Sequence, residues 1–213
     1  MAKIGILSDI HGDLDSLEKA FCLFSGEGVE SIICAGDLVE KGQHHDEVVA
    51  RVVEEHVSSV QGNHDENAVR HDRLSGIQST AGEAPLQAKT IAFLRSLPHI
   101  LELNFAGVSL LVAHATPSEN AGRVFHIDGS MRLSKRFKKD LARTDCQIVI
   151  VGHTHSPFDI EFRDKRIINP GSTCKLKRRD SHTAGVLEMP SGTFTVFDLN
   201  DGSRCDVQRG RTE

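Results

Sequence analysis

Residues 3–24, KIGILSDIHGDLDSLEKAFCLF, carry the reading on which the fold turns. The run KIGIL at 3–7 is apolar and of strand length, and the apolar residues beyond it at 14, 17, 20, 21 and 24 keep helical spacing. A strand passes into a helix, and the same unit then recurs. SIICA at 31–35 reads as the next buried strand, EVVARVVEEH at 47–56 as the next helix and HVSSV at 56–60 as the third strand. Alternation at this rhythm predicts a parallel sheet with helices on its faces.

From about residue 85 the rhythm changes. PLQAKTIAFLRSL reads as a helix, whereas ILELNF and VSLLVAH are two strand runs separated by Ala-Gly, a hairpin signal. SKRFKKDLART predicts a helix feeding the buried strand CQIVIVG. DIEF and RIIN then flank RDK, and TAGVLEM and TFTVFDL flank PSG, so the last third predicts antiparallel hairpins. The expectation is an α/β protein of two mixed β-sheets flanked by helices, one domain over residues 1–213, with the polar stretch 201–213 as a frayed tail.

Composition narrows the function. With Lys+Arg 25 against Asp+Glu 30 the net charge is -5, no basic field that argues for nucleic acid, and the chain has neither Trp nor Tyr for base stacking. The five cysteines, Cys22, Cys34, Cys146, Cys174 and Cys205, are odd in number and show no CxxC spacing, which predicts a reducing, cytoplasmic setting. MAKIGILSD lacks the apolar core of a secretory leader, and no apolar run approaches the ~20 residues that span a bilayer, so no membrane association is expected.

The chemistry lies just beyond the end of each predicted strand. After KIGIL come Asp9 and His11, after SIICA comes Asp37, after HVSSV come Asn63, His64 and Asp65, after VSLLVA comes His114, and after QIVIV come His153 and His155. Each has an ordinary alternative: Asp9 or Asp13 as a helix cap, Asp37 as a turn residue, His114 as a hydrogen-bonded structural histidine. Those alternatives would have to hold independently at five strand ends, and the carboxyl ends of strands are where open α/β sheets bind ligands. Carboxylate, imidazole and amide oxygen without thiolate suit Mn²⁺, Fe²⁺, Zn²⁺ or Ni²⁺ better than Mg²⁺ or Ca²⁺. Seven candidate ligands, Asp9, His11, Asp37, Asn63, His114, His153 and His155, exceed what one tetrahedral ion uses. Two divalent ions ~3.5–4 Å apart, sharing a carboxylate, would use them all, in a geometry suited to in-line attack of water on phosphorus.

DxHG at 9–12, GD at 36–37, GNHD at 62–65, His114 and GHTHxP at 152–157, in that order, resemble the motif set of the calcineurin-like metallophosphoesterases, and NPGS at 169–172 resembles the segment after the last motif in their small phosphodiesterase branch. The resemblance implies a four-layer sandwich. It further implies that Asp9, His11 and His155 hold one ion, Asn63, His114 and His153 the other, and that Asp37 bridges them. His64 corresponds to the family's non-ligand histidine beside the scissile phosphate, with Asp65 as its orienting partner. Residues 38–42, LVEKG, lack the Asp-Arg-Gly run of the phosphoprotein phosphatases and dinucleoside tetraphosphatases, which turns the expectation away from those substrates. Ala115 follows His114 where the family usually has glycine.

The expected function is therefore a dinuclear metal-dependent phosphoesterase, with Mn²⁺ the favoured ion, acting on a small phosphodiester or phosphomonoester. The competing readings are a scaffold that keeps the fold without the activity, and a nuclease, which would want a basic groove. The loop ATPSENAGRVFHIDGS at 115–130 starts at the metal rim, and its Arg123 and His126 are candidates for contacting substrate. The sequence leaves the oligomeric state open, a homo-oligomer included.

Overall fold

A computed structural model describes residues 2–74, 85–125 and 132–212. The first βα unit forms as its pattern requires. β1 (Ala2–Leu7) leads into α1 (Leu14–Glu27), whose N-cap Asp13 accepts the Ser16 N–H at 3.1 Å and whose end is closed by Gly28 in the left-handed region (φ 71°). Asp13 is the cap, so Asp9 is released for other work. Gly5 is required because a Cβ there would lie 2.7 Å from the ring of Phe24, which α1 lays on the strand.

The remaining elements are β2 (Ser31–Cys34), α2 (His45–Glu54), β3 (Ser58–Ser59), α3 (Asn63–Leu74), α4 (Ala88–Ser96), β4 (Ile100–Phe105), β5 (Val108–Ala113), α5 (Lys135–Leu141), β6 (Ile148–Ile150), β7 (Phe158–Phe162), β8 (Lys165–Asn169), β9 (Thr183–Met189), β10 (Thr193–Asp198), β11 (Arg204–Cys205) and β12 (Gln208–Arg211). They form two six-stranded mixed sheets, in the orders β11-β10-β9-β1-β2-β3 and β12-β7-β8-β6-β5-β4.

Period-two alternation builds the layers. Ile4 and Ile6 of β1, Leu110 and Val112 of β5, and Ile148 and Ile150 of β6 meet in the core between the sheets. Their alternates face outward. Leu7 packs under Leu17, Phe24, Val48, Val52 and Val69 from the helices of the first sheet, while Leu111, Ala113, Val149 and Val151 pack under Phe137 and Leu141 of α5. The result is the expected α/β sandwich of two mixed sheets between helical layers. No helix among the described residues is long and apolar enough to cross a membrane.

Two expectations change. The strand at 56–60 shrinks to two residues because His56 adopts φ 52° and the Val57 N–H closes the end of α2 on the Val52 carbonyl, which spends the start of HVSSV on a turn. The expected frayed tail at 201–213 is ordered over its described residues, 201–212. β11 pairs with β10, and β12 pairs in parallel with β7 from Gln208↔Phe158 to Arg211↔Glu161. All four residues of β12 are exposed, so this edge strand is held by backbone bonds and by Arg209 and Arg211 facing Asp159 and Glu161, a mode that leaves no hydrophobic signature.

Candidate metal centre

β1, β2 and β3 run parallel in one sheet and β5, β6 and β8 in the other, so their carboxyl ends gather on a common edge. Hydrogen bonds within and between the sheets pin the loops there. The Gly152 N–H donates to the His114 carbonyl at 2.8 Å, the Thr173 N–H to the Ser8 carbonyl at 2.8 Å, and the His153 N–H to Asp9 Oδ2 at 2.9 Å. Asn169, of the NPGS stretch, donates to the Gly152 carbonyl at 2.7 Å and so braces the GHTH loop.

Five of the seven expected ligands, Asp9, His11, Asp37, His153 and His155, have φ between 52° and 63°. Non-glycine residues enter that region at a cost, and persist there when surrounding structure over-determines them, typically at functional sites. Glycines make the room. A Cβ on Gly62 would lie 2.1 Å from Asp37 Oδ1, and one on Gly152 would lie 1.8 Å from Ser8 Oγ and 2.9 Å from Asp9 Oδ2.

The polar atoms converge in two groups. In the first, His11 donates Nδ1–H to the Val39 carbonyl at 3.2 Å, and His155 donates Nδ1–H to Asp180 Oδ1 at 2.7 Å. Each ring thereby directs its Nε2 lone pair inward, and the two Nε2 atoms lie 3.3 Å apart. Asp9 Oδ1 lies 3.2 Å from His155 Nε2 and 3.8 Å from His11 Nε2, is fully buried, and forms no hydrogen bond. In the second group, His114 donates Nδ1–H to the Ala35 carbonyl at 2.7 Å. Its Nε2 faces Asn63 Oδ1 at 3.1 Å and His153 Nδ1 at 3.2 Å, and His153 Nδ1 lies 3.0 Å from Asn63 Oδ1. One oxygen joins the groups: Asp37 Oδ2 is 3.2 Å from His114 Nε2 and 3.7 Å from His11 Nε2. Buried electron pairs that face one another, with a buried carboxylate oxygen lacking a donor, fit a pair of cations with Asp37 between them. The ammonium of Lys41, 2.7 Å from His11 Nε2, is a positive charge meeting one of those lone pairs.

The electrostatics agree. Burial lowers His11 to about 4, and burial together with the charge of His114 lowers His153 to about 4, so both rings are neutral and ready to ligate at physiological pH. Burial also disfavours charge on His114, but the Asp37 carboxylate outweighs it and raises His114 to about 9. Asp37 in turn is held well below the ordinary carboxylate range, His114 overcoming its burial. A cation between these donors must displace the His114 proton. Metal loading at pH 7.5 is therefore expected to release at least about one proton per chain, with affinity rising by up to about tenfold per pH unit until His114 loses its proton near pH 9. Calorimetry in buffers of different ionisation enthalpy reads that proton directly; a pH-independent affinity between 6 and 8 would contradict it.

The structure brings all seven expected ligands together, with His64 beside them, its ring edge-on to His11 with centroids 4.9 Å apart. Asp65 requires a correction. It was expected to orient His64, but its two oxygens accept the backbone N–H groups of Asp37, Gly62, Leu38 and Val39 at 2.8–3.2 Å. The reason is position: in the first turn of α3, Asp65 points back under the loop after β2, and burial with the nearby Asp37 charge raises it to about 7. Asp65→Ala would strand four buried donors. It is expected to cost at least about 3 kcal/mol in denaturant unfolding, an effect that a residue acting only on His64 would not have.

Glu40 takes the role expected of Asp65. Its Oε2 meets His64 Nδ1 in a short contact, and the His64 N–H is held by Asp37 Oδ1 at 2.9 Å. Its signal was its place, an acidic residue three positions beyond Asp37, in a Glu-Lys-Gly run that stands where Asp-Arg-Gly is lacking. Asp180, which fixes His155, had no local signal, because the chain between β8 and β9 carries it there. Of the loop candidates, Arg123 is exposed, with no hydrogen bond to a site residue among those described, and His126 lies outside the described residues.

Comparison with known proteins agrees with this geometry. The profile of the calcineurin-like phosphoesterase superfamily domain matches residues 2–192. The uncharacterized protein MJ0912 of Methanocaldococcus jannaschii is 28% identical over 190 residues, 79% of this chain and 75% of that protein. Among solved structures, a metallophosphoesterase from Sphaerobacter thermophilus superposes with a TM-score of 0.68 at 23% identity, covering 97% of this chain and 89% of its own. An archaeal phosphodiesterase superposes at 0.59 with 21% identity, covering 92% and 98%. Because the family match runs from β1 through β9 and takes in every loop that presents a convergent donor, the chain belongs to the calcineurin-like phosphoesterase superfamily.

Proposed function

We propose that the protein is a dinuclear metal-dependent phosphoesterase that hydrolyses small phosphomonoesters or phosphodiesters. The observation that carries the proposal is the single oxygen, Asp37 Oδ2, shared by two groups of inward-facing donors. Asp9, His11 and His155 would hold one ion, Asn63, His114 and His153 the other, with Asp37 between. When bound, such ions supply a water acidic enough to attack at neutral pH and neutralise charge on the phosphoryl oxygens. The chain supplies the rest. Val39, Ala35 and Asp180 fix the orientation of the ligating rings, and Ser8 with the His153 N–H fixes Asp9 so that Oδ1 faces the centre. Glu40 holds His64 by Nδ1, which leaves Nε2 to carry a proton to the departing oxygen. A positioned proton donor supports an enzyme over a scaffold, which has no use for one. The mixed carboxylate, imidazole and amide set supports Mn²⁺ over Mg²⁺ or Ca²⁺, with Fe²⁺, Zn²⁺ and Ni²⁺ as alternatives.

The test is to strip the protein with chelator, reload it, and assay a panel of phosphomonoesters and of cyclic and linear phosphodiesters. The expected outcome is about two ions per chain, no hydrolysis after stripping, and recovery with Mn²⁺ or a similar transition ion. Full activity without any bound transition metal, or no hydrolysis of any ester with both sites loaded, would overturn the proposal.

A further inference from the structure

Between the NPGS stretch and β9 the chain reads CKLKRRDSH, placing Lys175, Lys177, Arg178 and Arg179, four of the 25 Lys and Arg residues, within five positions of an otherwise acidic chain. All four are exposed, and Leu176 between them is 40% exposed. The segment is fastened to the metal centre at both ends. On one side the Thr173 N–H donates to the Ser8 carbonyl, the Cys174 N–H to the Asp9 carbonyl at 3.2 Å, and the Lys175 N–H to Asp13 Oδ2 at 2.9 Å. On the other, Asp180 Oδ1 accepts from His155 Nδ1 while Asp180 Oδ2 accepts the Leu176 and Lys177 N–H groups at 2.9 and 2.6 Å. The Asp180 N–H closes the turn on the Lys177 carbonyl at 3.0 Å. Arg178 and Arg179 therefore sit at the tip of a turn whose closing residue touches a metal-site histidine.

The cations are not spent on the protein. Lys175 is tied to Asn200 Oδ1 at 2.5 Å, but Lys177, Arg178 and Arg179 form no side-chain hydrogen bond or ion pair among the described residues. Burial, then the positive charges of Lys19 and Lys175, lower the neighbouring His182, so Lys19 of α1 adds to the same field. Like charges crowded on a braced turn repel one another, and an anion relieves that repulsion while accepting paired N–H groups from arginine.

We propose that the turn at residues 177–180 is a second anion subsite beside the metal centre, and that the substrate carries a further phosphoryl group besides the scissile one. This rests on the phosphoesterase reading above. A short cluster of three free cations fits one added phosphate on a small molecule. A nucleic-acid strand would want a longer basic track and stacking aromatics, which this chain of net charge -5 without Trp or Tyr does not provide.

The test uses the Mn²⁺-loaded full chain and two matched pairs. Propyl phosphate and propane-1,3-diol bisphosphate report kcat/KM; propylphosphonate and propane-1,3-bisphosphonate, which are not hydrolysed, report binding by calorimetry, with metal content measured afterwards. Wild-type protein is expected to favour the member of each pair with two phosphorus groups by about tenfold, and the Arg178→Gln, Arg179→Gln double variant to lose most of that ratio. Equal handling of both members by wild-type protein, or a ratio unchanged in the variant, would overturn the subsite. So would tighter binding of a ten-nucleotide single strand than of the bisphosphonate. Turnover without the preference removes the subsite alone; the binding preference without turnover of either ester removes phosphomonoester hydrolysis from the reading above and leaves the subsite standing.

Discussion

Asp37→Asn is expected to weaken both metal ions together and to lower kcat/KM by about 10³-fold or more. The two donor groups meet at Asp37 Oδ2, and a neutral amide cannot balance two dications as a shared carboxylate does. The substitution is mild in shape, because asparagine keeps the oxygen that accepts the His64 N–H. A second readout is independent of turnover. With the Asp37 charge gone, His114 should fall from about 9, since that charge is what outweighs its burial. Elemental analysis and a histidine titration by NMR on the metal-free variant measure the two effects. Loss of one ion with the other held at wild-type affinity would show that a different residue bridges.

His64→Ala should keep both ions and lower kcat by roughly 10²- to 10⁴-fold, since a proton delivered to the leaving oxygen matters in the transition state and little in ground-state binding. The loss should depend on the leaving group. An alkoxide needs the proton, whereas a nitrophenolate departs without it, so an alkyl ester should suffer far more than an aryl ester of the same phosphate. Glu40→Gln should shift in the same direction by a smaller factor, because the amide no longer stabilises the protonated ring that Glu40 meets at Nδ1. Equal losses on both esters would favour charge stabilisation over proton donation. A lost metal ion would make His64 a ligand, which its nearness to His11 and Asp37 allows the experiment to reveal.

Much of this was legible along the chain, for reasons that are local. Period-two apolar runs at β1, β5 and β6 and helical spacing after Asp13 are imposed by which face each element buries, so two mixed sheets with outer helices could be read from pattern alone. The convergent polar residues were legible because parallel strands must deliver their carboxyl ends to one edge, and each motif stands directly after such a strand. Pattern could not supply direction. Asp65 and Glu40 are both acidic and both close to His64 in the chain or the fold. Only packing decided that Asp65 turns back to four backbone N–H groups while Glu40 meets the imidazole. Asp180 reaches His155 across 25 positions, and β12 joins the sheet edge through backbone bonds that are the same for any side chain, so neither left a periodic trace. Sequence by itself determined the layers and which polar residues gather at one edge, because burial and strand polarity act on each residue where it stands. Tertiary structure alone decided which partner each polar atom serves, because a hydrogen bond depends on distance and angle between segments that the chain order does not fix.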